Sequence, residues 1–372
     1  MDTTSTIPIE QNIRSILPRW QSSLSLLFLA AIMLTYVVIS LLAHSKPIEN
    51  ISLTLQTNQW RRSNEVYAYH PLALDAEDYL LLCELPYADF SRGGVCFIGS
   101  STMEHSVMTW TLPPQQAAYI HNYAISSATY KEQFQWVRFL VKDRGLASAG
   151  PGKMRVILGL SYLDTRAKLP GLMDEFFVPD LFHRHGLYQY DADRGISDIP
   201  MSRLRRTIIL EKMRDCDFLQ QFGGDLMQRV LSHVKRPTFS PPESDQSAAD
   251  HQMQIMGGFG RWRVTMDYQT GQLSEMIDYL RQHQIEISAV ILPLKNWNRL
   301  DPFAEAFHQS VVSICTTKEV PLLDVSHDFS DQYFADETHL NYSGQQQLSP
   351  QLLTMAQEHL RQIGLLAKRA NQ

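Results

Sequence analysis

From residue 47 onward the chain alternates two kinds of apolar pattern. Continuous apolar runs of strand length occur at Gly94–Gly99 (GVCFIG), Met154–Gly159 (MRVILG), Ile285–Leu292 (IEISAVIL) and Val320–Val325 (VPLLDV). Runs without polar alternation fit strands covered on both faces. Between them, Thr129–Asp143, Thr270–His283 and residues 302–318 read as helices, with apolar residues at three- and four-residue spacing. Strands alternating with helices predict an α/β fold, a parallel sheet in a three-layer α/β/α arrangement. Such sheets bind ligands beyond the carboxyl ends of their strands, so the loops after these runs are where chemistry is expected.

About 165–265 the rhythm breaks. Leu204–Glu211 and Phe218–Val234 read as helices, and Pro237–Gln254 is a Pro/Ser/Asp-rich surface loop. The stretch is expected to be a helical insertion that caps the sheet.

A different pattern precedes the body. No Asp, Glu, Lys or Arg lies between Arg19 and Lys46, and Leu24–Ala43 (LSLLFLAAIMLTYVVISLLA) is apolar apart from Ser25, Thr35, Tyr36 and Ser40. At ~1.5 Å per residue, twenty helical residues reach about 30 Å, the thickness of a bilayer's hydrocarbon core. A cleaved signal peptide has a shorter apolar region and a small residue two positions before its cleavage site, where Leu41 stands here before Ala43. A buried soluble helix would carry charges on its other face. The expected organisation is therefore a short cytoplasmic head at 1–23, one transmembrane anchor at 24–43, and an extracytoplasmic domain at 47–372. Positive charge is nearly balanced across the span (Arg14 and Arg19 before, Lys46, Arg61 and Arg62 after), so the orientation rests on the short head and the bulk of the chain that follows.

Composition narrows the function. With 33 Lys+Arg against 39 Asp+Glu the net charge is −6, which argues against a nucleic-acid partner. Four cysteines (Cys83, Cys96, Cys216, Cys315) form neither a disulfide framework nor a zinc spacing, and His183 and His185 have no carboxylate or thiol at ligand spacing. No metal and no cofactor is expected.

Two loops carry candidate chemistry. The first strand runs into Gly99-Ser100-Ser101-Thr102, where a hydroxyl can stand over the sheet at a helix start. The same turn also reads as an ordinary helix cap. Near the C-terminus, Asp336-Glu337-Thr338-His339 places a carboxylate three residues before an imidazole, which can fix the ring and leave its other nitrogen for a nucleophile. Here too Asp336 could simply be a cap. Taken in order, a strand-end Gly-x-Ser early in the body and an Asp-x-x-His-Leu-x-x-x-Gly near its end resemble the SGNH (GDSL-type) hydrolase superfamily over roughly residues 90–360. The resemblance implies a flavodoxin-like sheet, Ser101 as nucleophile, His339 as base and Asp336 as its orienter.

The middle of the chain departs from that family. His121–Thr129 (HNYAISSAT) resembles the segment whose glycine amide serves the oxyanion hole, with Ser127 in the glycine's place. Gly159-Leu160-Ser161-Tyr162 resembles the third block, with Ser161 replacing an asparagine. Ser127, Ser161 and Gly99 are the expected oxyanion or substrate-binding positions, joined by Asn296 in the strand-end segment Lys295–Asn298. The anchor and the Gly-Ser-Ser turn resemble the membrane-anchored branch of D-alanyl transfer proteins such as DltD. That implies a serine acyltransferase or esterase acting on acyl groups, O-acyl or D-alanyl, of cell-surface polymers at the outer face of the cell membrane. An acyl carrier would be a second substrate, and a multispanning acyltransferase a partner. The alternative is a catalytically weakened SGNH-fold partner of a polymer, a carrier protein or a membrane-bound O-acyltransferase.

Overall fold

A computed structural model describes residues 24–38, 41, 85–166, 186–191, 195–212, 262–295, 303–336 and 338–367. The chain divides into two units, Met1–Ile51 and Ser52–Gln372. In the first, residues 24–38 are helical and their apolar side chains, such as Leu27 and Phe28, are exposed. Among the described residues no helix is long and apolar enough to cross a membrane. The predicted anchor runs on to residue 43, and residues 39, 40, 42 and 43 lie outside the described residues.

The second unit is built on a parallel sheet. Its strands are β1 (Gly94–Ile98), β2 (Ile120–Asn122), β3 (Met154–Leu160), β6 (Glu286–Ile291) and β7 (Leu322–Asp324), in the order β2-β1-β3-β6-β7. Each neighbouring pair is parallel. The five helices that bear on the site or cover the sheet are α1 (Ser101–Ser106), α2 (Tyr130–Asp143), α3 (Trp262–Gln282), α4 (Phe303–Thr317) and α5 (Tyr342–Gln362).

Residues of one strand serve two cores, which explains the unbroken apolar runs. Cys96 and Ile98 of β1 pack with Trp136 of α2, Leu273 of α3 and Phe307 of α4. Val95 and Phe97 of the same strand join Met103 of α1 and Leu348, Leu352 and Ala356 of α5. The sheet is thus covered on both faces, the middle of three layers.

The strand and helix expectations for 94–99, 154–159, 285–292, 320–325, 129–143 and 302–318 fall on β1, β3, β6, β7, α2 and α4, with shifts of a residue or two at the ends. Two elements differ. α3 begins at Trp262, eight residues before the expected Thr270, because Trp262 and Met266 extend its buried stripe. The insertion is not purely helical, since Tyr188–Asp191 (β4) and Gly195–Asp198 (β5) form an antiparallel hairpin. That hairpin is fastened to α2 by Arg144, which pairs with Asp198 and lies over the Tyr188 ring at 5.6 Å. A helix at 203–212 matches the Leu204–Glu211 reading; residues 213–261, with the expected helix Phe218–Val234, lie outside the described residues. Cys96 is buried inside β1, and Cys83 also lies outside them.

Candidate active site

The carboxyl end of β1 feeds directly into α1, and two glycines make the junction tight. A Cβ on Gly99 would come within 2.6 Å of the Met103 Cβ, and one on Gly159 of β3 within 2.7 Å of the same atom. The absence of both side chains lets α1 settle onto β1 and β3, with Met103 fully buried. Gly99, expected among the oxyanion or substrate-binding positions, is placed in this packing role. Ser101 is the first residue of α1 and is only partly buried. Its backbone N–H belongs to the first helical turn, which has no carbonyl one turn earlier to accept it.

The loop 331–344 brings His339 to this serine. Its neck is closed by a Phe334–Leu340 bridge and by Ala335 N–H donating to His339 O at 2.8 Å. Asn341 caps α5 by accepting the Gly344 N–H at 3.1 Å, and its Nδ2 donates back to Gln332 O at 2.7 Å. Gly344 is required where α5 meets the loop, because a Cβ there would lie 2.5 Å from Tyr333 O.

Within the loop the two oxygens of Asp336 divide their work. Oδ1 accepts the backbone N–H groups of Thr338 and His339, each at 2.8 Å. Oδ2 takes the His339 Nδ1 at 2.8 Å. Burial works to raise the Asp336 carboxyl, but the His339 hydrogen bond and charge, with the two backbone N–H groups, outweigh it and hold the pKa down to about 2. A carboxylate only accepts, so Nδ1 must carry the imidazole proton and Nε2 the lone pair. His339 Nε2 lies 2.8 Å from Ser101 Oγ, so the Ser101 hydroxyl donates to it. The His339 side chain retains 17% of its exposure and Asp336 43%, so the pair is not sealed from solvent.

His105, one helical turn after Ser101, packs edge-on against the His339 ring at a centroid distance of 5.1 Å. Burial, and then the charge of His339, pull its pKa down to about 3, so at neutral pH it is a neutral wall that brings no competing charge. Its i+4 spacing from Ser101 was visible in the sequence; its contact with a loop over 230 residues away was not.

Opposite the loop lies the turn Ile125–Ala128. Ile125 N–H donates to Gly99 O at 3.0 Å, which ties the turn to the end of β1, and Ala128 N–H closes it on Ile125 O at 3.2 Å. Ser127 stands at its third position with φ +61°, a left-handed conformation that normally selects glycine. For a residue with a Cβ this costs roughly 1–2 kcal/mol. The turn is fixed on its far side by the start of α2, where Glu132 accepts both the N–H and the hydroxyl of Thr129 at 2.8 and 2.9 Å.

Ser161, after β3, is buried, and its Oγ accepts the Leu163 N–H at 3.3 Å as a cap of the turn Tyr162–Thr165. No hydrogen bond among the described residues joins Ser161 to Ser101. Asn296 lies outside the described residues. Ser101, His339 and Asp336 are therefore brought into one hydrogen-bonded chain, and Ser127 is placed on the turn tied to Gly99. No group of His, Cys, Asp and Glu suited to a metal ion occurs among the described residues.

No family model matches the chain, and no curated protein matches it. Among solved structures it is similar to a Bacteroides fragilis protein provisionally named an acylhydrolase, at 14% identity and a TM-score of 0.39, over 78% of this chain and 98% of that one. A second is a GDSL-like lipase from Bacteroides thetaiotaomicron, at 12% identity and a TM-score of 0.36, over 72% of this chain and 89% of that one. Likeness this distant carries no weight for activity or substrate.

Proposed function

We propose that this chain is a serine acyl-handling enzyme, an esterase or acyltransferase of SGNH type. The observation that carries the reading is the chain Ser101 Oγ–His339 Nε2 and His339 Nδ1–Asp336 Oδ2, with both contacts at 2.8 Å. In the proposed reaction the Ser101 proton passes to His339 Nε2 as Oγ bonds to an acyl carbonyl carbon, and Asp336 stabilises the imidazolium. The N–H groups of Ser101 and Ser127 serve the carbonyl oxygen as it gains charge. The imidazolium then protonates the leaving group and an acyl-Ser101 ester remains. Water or a second hydroxyl, activated by His339, attacks that ester and frees the serine.

For the acceptor and the setting the proposal draws on the sequence of the first unit. The uncharged run 24–43 matches a bilayer in length, and we place the body at the outer face of the membrane on this ground. There, acyl groups of surface polymers are the substrates within reach, handed over by an acyl carrier or a multispanning acyltransferase. The tethered site favours transfer to, or removal from, such polymers over hydrolysis of diffusing esters. A second reading, a non-catalytic SGNH-fold partner, draws on one specific observation: the Ser161 side chain, in the place where the family carries an oxyanion donor, is buried and turned to accept Leu163 N–H.

Incubation with p-nitrophenyl acetate followed by intact-mass analysis decides between them. The enzyme reading expects one acetyl group on the protein, mapped to Ser101 and missing in Ser101→Ala. Acetylation that persists in Ser101→Ala, or its absence from a folded unsubstituted chain, overturns it.

A further inference from the structure

The proposed acyl transfer passes through a stage at which His339 loses one of its partners. In the resting site Nδ1 is held by Asp336 Oδ2 and Nε2 by the Ser101 hydroxyl, each at 2.8 Å. Once Ser101 carries an acyl group, its Oγ is an ester oxygen with no proton to donate, so the contact at Nε2 is lost. Asp336 remains, as does Thr338 Oγ1 at 3.2 Å from Nδ1, but both act at the same end of the ring. Contacts at one end fix a point and leave the ring free to tilt about it. His105 meets the ring itself, edge-on, at a centroid distance of 5.1 Å and an interplanar angle of 86°.

We propose that His105 is a positioning residue for the second half of the reaction, holding the His339 ring on the acyl-Ser101 ester while water or a hydroxyl attacks it. This rests on the acyl-transfer reading and deepens it. His105 is buried on α1, a helix of six residues, too short to persist by itself. From β2, Asn122 Nδ2 donates to Glu104 O at 2.9 Å and to Val107 O at 3.4 Å, two carbonyls that bracket His105. Met108 N–H donates to Ser349 Oγ at 2.9 Å, which ties the end of α1 to α5, the helix that the His339 loop enters. The wall and the base are thus fastened to one frame. Burial keeps His105 uncharged, so an imidazolium at His339 meets no like charge there. The turn of the proposed oxyanion amide is held without His105. Ile125 N–H donates to Gly99 O, and Gln133 Nε2 donates both to Ala128 O at 3.1 Å and to Oδ2 of the buried Asp164 at 3.0 Å. Removing the His105 ring therefore spares the first half of the reaction, in which Ser101 still anchors Nε2. In the second half Nε2 takes a proton from water as the water oxygen bonds to the acyl carbon. It returns that proton to Ser101 Oγ as the bond between the acyl carbon and Oγ breaks. Both transfers need Nε2 within hydrogen-bond reach, and a displacement of about 1 Å slows such a step about 10²-fold.

In the test, the unsubstituted full-length chain and its His105→Ala, His105→Asn and His105→Phe variants are acetylated with p-nitrophenyl acetate. The ester is then removed and acetyl-Ser101 is followed by intact-mass analysis. Loss is read only on molecules that have been acetylated, so an unfolded fraction does not enter it. In His105→Ala the acetyl group is expected to leave at least about tenfold more slowly, while its formation slows less than about threefold. His105→Asn, a polar side chain without the ring, is expected to behave in the same way. His105→Phe, which restores a flat ring, should bring the loss back to within about threefold of the unsubstituted rate. Formation and loss slowed by the same factor are what a structural role gives, and overturn the proposal. So do an unchanged rate of loss in both truncated variants and a His105→Phe variant as slow as His105→Ala. These results leave the acyl-transfer reading intact, because the unsubstituted chain still forms acetyl-Ser101. Absence of acetyl-Ser101 from the unsubstituted chain overturns that reading and the proposal with it.

Discussion

The loop of Asp336 and His339 and the turn of Ser127 flank the same end of β1, yet they are held in opposite ways. In the loop, both carboxylate oxygens of Asp336, both ring nitrogens of His339 and the side-chain amide of Asn341 have partners. The loop spends its one tight approach on a glycine, Gly344. In the turn, a serine occupies a left-handed position, and behind it a buried carboxyl keeps an oxygen without a partner. Full pairing on one side fixes a proton-transfer geometry. Strain on the other marks a feature retained against its local cost, which is where function or its erosion is expected.

Breaking the paired side should cost most. Asp336→Asn removes the acceptor that fixes the His339 tautomer and is expected to lower acyl transfer about 10³–10⁴-fold, read as kcat/KM on an activated ester, with little change in folding. Loss of less than tenfold would mean that the loop holds His339 by its backbone alone. Next comes Gly344→Ala. Its Cβ must push the Tyr333 carbonyl away, with a stability cost of about 1–3 kcal/mol and a disproportionate loss of activity because His339 rides on the same loop. Thermal melting and kcat/KM on one sample separate the two effects.

The buried carboxyl gives a pH signature in stability. Asp164 is held near 7 in the fold against its ordinary 3.8. Between those values the folded state binds a proton that the unfolded chain has released, so stability falls as pH rises from about 4 to about 7 and then levels off. Asp164→Asn has no such proton. Its Tm relative to the unsubstituted chain should therefore climb from pH 4.5 to pH 8, by several degrees. Asp336 has the opposite sign: its lowered carboxyl adds stability above its ordinary range that is lost as pH falls toward 2. The smallest effect belongs to the strained side. Ser127→Gly relaxes the left-handed residue and should raise stability by about 0.5–1 kcal/mol, whereas Ser127→Ala keeps the strain and should not. Equal Tm values for the two variants would remove the argument that the turn is strained.

What the sequence revealed follows from the range of each interaction. Strands buried on both faces announce themselves as unbroken apolar runs, so β1, β3 and β6 were legible. β2 has three residues, too few for any period. The hairpin at Tyr188–Asp198 is held by Arg144, at the end of α2, rather than by its own pattern. Asp336 could be read as helix cap or as orienter; the cap of α5 is Asn341 instead, and Asp336 Oδ1 holds the turn at the Thr338 and His339 N–H groups while Oδ2 takes the imidazole. Ser127 in a glycine's place was legible as a departure, and its φ of +61° is the conformation a glycine would take at no cost. Asp164 could not be found, because nothing in the spacing SYLDTR states that a carboxyl there is sealed from water.

The central claim is that Ser101 is a nucleophile activated by His339. A fluorophosphonate probe added to the purified full-length chain, with the adduct located by peptide mass mapping, tests it most directly. The account expects a single adduct on Ser101, at least about 10²-fold slower to form in a folded His339→Ala variant. An adduct on another residue, none at all, or one that forms at the same rate without His339 would contradict it.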